Sequence, residues 1–444
     1  MDSSPCPSIE EMSDKIASGL SPVAIVESCL GRIRDLNEQI GAMIFVNEAG
    51  ALHAALQATR EIRSGHRRGP LHGVPIAVKD VVDVKHWPTT AGSRLFENHV
   101  APATATCIVN LQAAGAIIIG KTNLHELCVG GHENPWYGKV ANPLDPSRGT
   151  GGTSSGSAAA VAAGFCPAAV GTDSGGSNRS PAAATGLFGY KPTNGLIAME
   201  GVMSIAPSLD CVGVLARSVR DVRLMTKALA GKRLSPPGGA RRERKSKACV
   251  TIGICPELVG AAVDTSVDVA MAGLLDRPNV RTIEITFDDR EAFIAAGLRI
   301  LQCEFARTYR DIIEQKPDMV GDAVRSFLQD GIRISADAYD GAIEIRNDVR
   351  GRFLEKIAGL DALAIPTAPG SAPRLSDELT EVNGDMAPWG MAGGRFRRWA
   401  NMLGMPALAM PLLVPDGLPV SVQLASSPGQ DADLLDLAEM LTSN

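Results

Sequence analysis

The chain has 444 residues, is 45% hydrophobic and 21% charged, and carries a formal net charge of −6. That length suits one large α/β domain or two to three average ones, with ample material for a deep, water-excluding core. The acidic balance argues against nucleic acid as a direct partner, because phosphate binding wants a basic field.

The first residues, MDSSPCPSIEEMSDK, have neither the basic start nor the apolar run of a secretory leader. Residues 9–64 read as helices; Pro22 to Asn37 and Ala49 to Arg63 repeat apolar positions every three or four residues. From 65 to 230, short β-type runs alternate with helical ones. Strands are predicted at Val74–Val78, Ala116–Ile119 and Pro167–Thr172, and helices at Thr104–Ala114 and Ser157–Gly164. This alternation predicts an α/β sheet covered on both faces. Residues 231–247, GKRLSPPGGARRERKSK, read as an exposed, solvated connector. Residues 248–444 add strands at Val250–Ile254 and Ala362–Pro366 and a long helical stretch from Asp288 to Leu360. The Pro- and Gly-rich stretch 367–394 reads as a mobile loop near a site. The longest near-apolar stretch, Ala158 to Gly171, contains Pro167 and is too short to span a bilayer. The nine cysteines are scattered without a C-x-x-C pair, which suits reduced thiols in a cytoplasmic protein.

Three motifs draw the eye. Gly115 to Thr122, GAIIIGKT, matches the phosphate-loop pattern, but the residues between its glycines are themselves strand-like, and a core strand is the better reading. Gly152 to Gly156, GTSSG, fits a nucleophile elbow. An elbow needs a central strand before it, which Asn142-Pro143-Leu144-Asp145-Pro146 cannot form, and a histidine after the serine; all seven histidines lie between His53 and His132.

The third is Gly151 to Pro192, two small-residue turns joined by a helix that is apolar all round and so belongs in the core. In the second turn, Asp173-Ser174-Gly175-Gly176-Ser177, consecutive glycines can aim several N–H groups at one point, as an oxyanion hole requires. A serine hydroxyl there needs a base. His125 and His132 precede the serine, but neither has metalloprotease spacing, and isolated histidines are usually structural. Lys79 closes the apolar run Gly73 to Val78; burial would disfavour its ammonium and free the amine as a base, whereas snorkelling would leave it inert. The strand pattern does not choose between these.

Gly151 to Pro192, with Gly69 to Pro75 and Lys79, Gly120 to Glu126, Ala206 to Asp210, Gly404 to Leu408 and Gly417 to Val420, resembles the amidase signature family. The likeness covers nearly the whole chain and is thin over 232–360. It implies one large α/β domain, 1–444, with a central twisted mixed sheet covered by helices on both faces, and a Ser–Ser–Lys triad. Ser177 takes the nucleophile's place and Lys79 the base's. The bridging hydroxyl, which the family holds after a cis peptide bond, falls on Thr153, where a methyl is added to the expected serine; Ser154 is the alternative relay. The backbone N–H groups of Ser174, Gly175, Gly176 and Ser177 would form the oxyanion hole. Asn178 stands where the family has Ile or Val, and Arg179, in its expected place, calls for a carboxylate, with Asp173 nearest, as a structural pair.

The implied activity is hydrolysis of a small-molecule amide to a carboxylate and ammonia or an amine, through an acyl-enzyme and without metal or cofactor. The glutaminase subunit of a tRNA-dependent amidotransferase, needing partner subunits, is the alternative within the family. A nucleotide-binding protein using Gly115 to Thr122 and a non-catalytic relative are the alternatives outside it. No direct nucleic-acid or membrane contact is expected, and a homodimer is compatible. The substrate pocket is expected from 127–133, 200–204 and 367–400.

Overall fold

The computed structural model describes residues 6–231, 249–390, 392–412, 414 and 417–443; the predicted connector lies, from 232 onward, outside them. The chain opens with helix α1 (Ile9–Ala17), started by a reciprocal cap: Ser8 Oγ accepts from the Glu11 N–H while the Glu11 carboxylate accepts from the Ser8 N–H. Helix α2 (Pro22–Ile40) has a Ser21 cap and a proline in its first turn, and stops at Gly41 in the left-handed conformation. A short strand, β1 (Met43–Val46), and helix α3 (Glu48–Arg63) follow.

The central part lays down β2 (Pro75–Lys79), α4 (Thr106–Ala113), β3 (Ile117–Thr122), the small ribbon β4 (Ala141–Asn142) and β5 (Asp145–Gly149), and α5 (Ser155–Ala162). Then come β6 (Ala168–Asp173), α6 (Arg179–Thr185), β7 (Phe188–Lys191), β8 (Cys211–Ala216) and α7 (Val219–Ala230). The C-terminal part adds β9 (Val250–Ile254), α8 (Pro256–Val259), α9 (Thr265–Leu275), β10 (Val280–Glu284), α10 (Arg290–Gln315), α11 (Asp322–Ile332), α12 (Ala336–Ile357) and β11 (Ala362–Pro366). It finishes with the hairpin β12 (Leu379–Val382) and β13 (Asp385–Pro388), then α13 (Arg398–Leu403), β14 (Ala407–Leu412), β15 (Val420–Ala425) and α14 (Asp431–Thr442).

Among the described residues, eleven strands form one mixed sheet in the order β1-β3-β2-β6-β8-β7-β14-β15-β11-β9-β10. β2 runs parallel to both β3 and β6, and β9 parallel to β10 and β11; the middle of the sheet, from β6 to β11, is antiparallel. The sheet is apolar on both faces. Ile76 and Val78 of β2 and Val170 of β6 join the larger core, while Ala77, Ala169 and the α5 alanines join a second core on the other face. The expected α/β architecture with a covered mixed sheet is therefore present.

Two expectations change in detail, and the strand reading of Gly115 to Thr122 holds. The helical stretch from Asp288 to Leu360 is three helices, separated by a Pro317 turn and by the Ser335 cap of α12. The stretch 367–394, read as a loop, holds the β12–β13 hairpin, which pairs from Leu379↔Pro388 to Val382↔Asp385. The phosphate-loop match is strand β3: it is buried along its length, and Lys121 Nζ forms a 2.7 Å ion pair with Asp80 Oδ1 and donates to Thr89 Oγ1. A lysine held in the core cannot reach a phosphate.

The small residues of α5 are a packing requirement. The Gly156 N–H donates to the Asn123 carbonyl at 3.0 Å, and a Cβ on Gly156 would lie 2.4 Å from the Ala42 carbonyl oxygen and 2.5 Å from the Asn123 nitrogen. Neither neighbour can swing away, because both are backbone. Gly156→Ala is expected to destabilise the protein by about 1–3 kcal/mol, typical of overpacking, read as a lower urea midpoint than wild type.

Candidate active site

Lys79 is the last residue of β2 and is fully buried. Its Nζ donates to Thr153 Oγ1 at 3.0 Å and to Thr172 Oγ1 at 2.9 Å. Thr153 lies in the turn before α5, and Thr172 near the end of β6, so three separate segments meet at one amine. Ser177, in the turn after β6, is partly exposed and lines the same cavity as Thr153. The cavity holds about 340 Å³, enough for a small ligand.

The sequence offered two relays, and their surroundings differ. Thr153 touches Lys79 and lines the cavity. Ser154 is fully buried; its Oγ lies within donating distance of the Thr172 carbonyl (3.2 Å) and Asn178 Oδ1 (3.1 Å), and it does not line the cavity. Of the two hydroxyls, Thr153 is the one that meets both the Lys79 amine and the cavity. The contacts of Ser154 account for Asn178. Gly171 and Gly213, opposite one another on β6 and β8, leave the space its amide fills: a Cβ on either would come within 2.5 Å of the amide. Among the described residues every peptide bond is trans, so the cis bond implied by the resemblance is not found; trans is the ordinary form before a non-proline residue.

The turn Asp173 to Ser177 is shaped by its own carboxylate. Asp173 Oδ1 accepts from the Gly176 N–H at 2.8 Å, and Oδ2 from the Asn178 N–H at 3.3 Å. The Gly176 N–H is thus engaged within the turn in this structure. Gly176 has φ +112°, and a Cβ there would lie 2.5 Å from Arg397 Cβ, so only glycine fits. Arg179 grips Asp173 with two bonds, Nε to Oδ2 at 3.1 Å and Nη2 to Oδ1 at 3.0 Å, both residues being fully buried. Burial raises the Asp173 pKa, but the charge and hydrogen bonds of Arg179, with Lys191 and Asn401, more than offset it and hold the carboxyl well below the usual range.

The rest of the wall comes from segments of weak sequence signal. Expected stretches supply Cys128 to Gly131, Glu378, Gly390, Gly394, Arg397 and Arg398; the stretch 200–204 supplies nothing, though Ile205 does. Leu301 of α10 and Ala323, Ser326, Phe327 and Asp330 of α11 were not anticipated, because helices in a region without motif carry no mark of which face meets a ligand. Thr172 was also missed; its signal is a hydroxyl near the end of an otherwise apolar strand. His125, one of the two histidines weighed as a base, lines the cavity; burial pushes its pKa down to about 3. Its Nε2 lies 3.9 Å from Glu378 Oε1, and His132 Nδ1 3.8 Å from Glu378 Oε2. Among the described residues no group of three His, Cys, Asp or Glu side chains is placed to hold a metal ion, and no helix is long and apolar enough to cross a membrane.

The Amidase family profile matches residues 24–435. The chain belongs to the amidase family. This amidase is 33% identical to a glutamyl-tRNA(Gln) amidotransferase subunit of Anaeromyxobacter sp. (strain K), over 96% of this chain and 93% of that one. Among solved structures it resembles a crystallised amidase, with a TM-score of 0.89, 32% identity and coverage of 98% and 99% of the two chains. It also resembles the peptide amidase of Stenotrophomonas maltophilia, with a TM-score of 0.83, 26% identity and coverage of 98% and 96%. The enzyme is accordingly a hydrolase of carbon–nitrogen bonds in amides.

Glu378 gives the site a measurable pH signature. Burial pushes its carboxyl up to about 7, and the charge of Arg397 offsets this only in part. An acid whose folded-state pKa lies above its unfolded value of 4.5 binds its proton more tightly when folded, so the destabilisation from its charged form is absent below about pH 4.5 and complete above about pH 7. Glu378→Gln is expected to match wild type in unfolding free energy near pH 4 and to exceed it by roughly 3 kcal/mol near pH 8, the gap opening between the two. Urea unfolding across that range checks it.

Proposed function

We propose that the enzyme cleaves a small-molecule amide through a Ser177 acyl-enzyme, with Thr153 relaying protons between Ser177 and Lys79. The observation that carries this reading is the buried Lys79 amine 3.0 Å from the Thr153 hydroxyl, on the wall of the cavity that Ser177 lines. Lys79, in its amine form, takes the proton of the Thr153 hydroxyl as Thr153 takes that of Ser177. Ser177 Oγ bonds to the carbonyl carbon, and the N–H groups of Ser174, Gly175 and Ser177 hold the developing oxyanion. The proton returns through Thr153 to the leaving nitrogen, the carbon–nitrogen bond breaks, and water releases the acid by the same route reversed. Thr172 is a positioning residue that orients the amine; it does not touch the reacting atoms. The enzyme itself is read as acting in the cytoplasm.

A second reading rests on the relatives that are subunits of a glutamyl-tRNA(Gln) amidotransferase: the chain would then release ammonia from glutamine inside a complex with partner subunits. Purification from its own cells separates the two, since a free amidase keeps its activity alone.

Labelling with a fluorophosphonate serine probe, followed by peptide mass spectrometry, tests the chemistry. The adduct is expected on Ser177, lost in Lys79→Ala and retained in Ser154→Ala. Ser177→Ala and Lys79→Ala should abolish turnover while keeping the wild-type circular dichroism spectrum. Thr153→Ala should lower kcat by roughly 10²–10⁴-fold, and Thr153→Ser should restore most of it. An adduct on Ser154, or full activity in Ser177→Ala, would overturn the assignment.

A further inference from the structure

The cavity beside Ser177 has an uneven balance of charge. Arg397 and Arg398 both line it, on the chain entering α13, and both are buried. They lie directly against the glycine turn before Ser177: a Cβ on Gly176 would come 2.7 Å from Arg397 Nε, and one on Gly175 would come 3.2 Å from Arg398 Nε. Arg397 is steadied by carbonyls, its Nη atoms donating to Thr367 at 2.8 Å and to Trp389 at 3.0 Å, while its Nε has no hydrogen-bond partner among the described residues.

The acids nearby do not balance Arg397. Asp173 is taken up by two bonds from Arg179. Asp330 is exposed at the rim. Glu378 is the acid within the cavity wall, and burial leaves it only partly ionised at neutral pH, whereas Arg397 and Arg398, lowered by burial to about 9 and about 10, remain cationic there. His125 is neutral. A buried guanidinium held mainly by carbonyls is a costly arrangement that a ligand's oxyanion would relieve.

We infer that the substrate is an acidic amide, one bearing a carboxylate or similar planar oxyanion besides the scissile bond, and that Arg397, with Arg398 beside it, selects it. The anion sits against the guanidinium groups while the amide carbonyl lies over the glycine turn. This deepens the reading above, because it rests on Ser177 as the reacting centre. It makes specificity a matter of charge, with the apolar wall of Leu301, Phe327 and Ile205 setting only the length of the spacer.

Binding, separated from turnover, tests it. Full-length Ser177→Ala protein is titrated calorimetrically with the monoamides of malonic, succinic, glutaric and adipic acids and with the matching diamides. At least one acid is expected to bind roughly 10- to 100-fold more tightly than its diamide, the range for a hydrogen-bonded charge. That preference should fall to near unity in Arg397→Gln or Arg398→Gln, each checked for native circular dichroism; if either fails to fold, the acid-against-diamide comparison still decides. Equal binding of every pair, tighter binding of the ω-amino amides, or a preference that survives both substitutions would overturn the inference. Failure of the Ser177 reading would show separately, as absent labelling of wild type with the binding preference intact.

Discussion

The architecture around the active site hangs on the buried pair Asp173–Arg179. Removing two charges from water costs several kcal/mol per ion, and attraction repays it only when the remaining hydrogen-bonding capacity is met. Here it is met. Asp173 accepts from Arg179 twice, from the Gly176 and Asn178 N–H groups, and from Asn401 Nδ2 at 3.0 Å. Arg179 donates in addition to the Arg397 carbonyl at 2.8 Å, to Gln423 Oε1 at 2.7 Å and to Asn401 Oδ1 at 2.8 Å. The pair joins β6, the glycine turn, α6, α13 and β15, five segments drawn from both halves of the chain. Loss of either member would leave the other charge buried alone.

From that anchor the chemistry follows. With Asp173 holding the turn from beneath, Gly176 is locked in a conformation only glycine accepts, and Ser177 is presented to the cavity. Lys79 approaches from the neighbouring strand and is aimed by two threonine hydroxyls. Because Arg179 takes up Asp173, that carboxylate is not free to pair with Arg397, which lines the cavity beside Glu378. Trp389, fully buried, ties this wall to the turn through a 2.9 Å bond from its Nε1 to Ser180 Oγ.

Much of this was legible in the chain. β9 and β11 have the bounds their apolar runs predict, and β2, β3 and β6 shift by one to three residues at their ends. Of the motif residues, Lys79 meets Thr153, Ser177 lines the same cavity as Thr153, and Arg179 pairs with Asp173. Less legible were β14 and β15, whose place beside β7 and β11 depends on partners far away in sequence, and the hairpin in 367–394, whose Gly and Pro content resembles an irregular loop.

What the sequence determined by itself is the set of residue types that a local rule governs: small residues where backbones touch, apolar strands buried on two faces, a lysine closing one strand and a hydroxyl in each turn. What only the tertiary structure decided is which of those groups meet. Thr153 and Ser154 are adjacent hydroxyls that no local rule distinguishes; one touches Lys79 and the other packs against Asn178, because the start of α5 turns their side chains in different directions. Helix faces on α10 and α11, and two arginines more than two hundred residues from Ser177, reach the cavity only because the sheet brings its two halves together. Proximity across such separations arises from the packing of the whole chain, and no short window of sequence contains it.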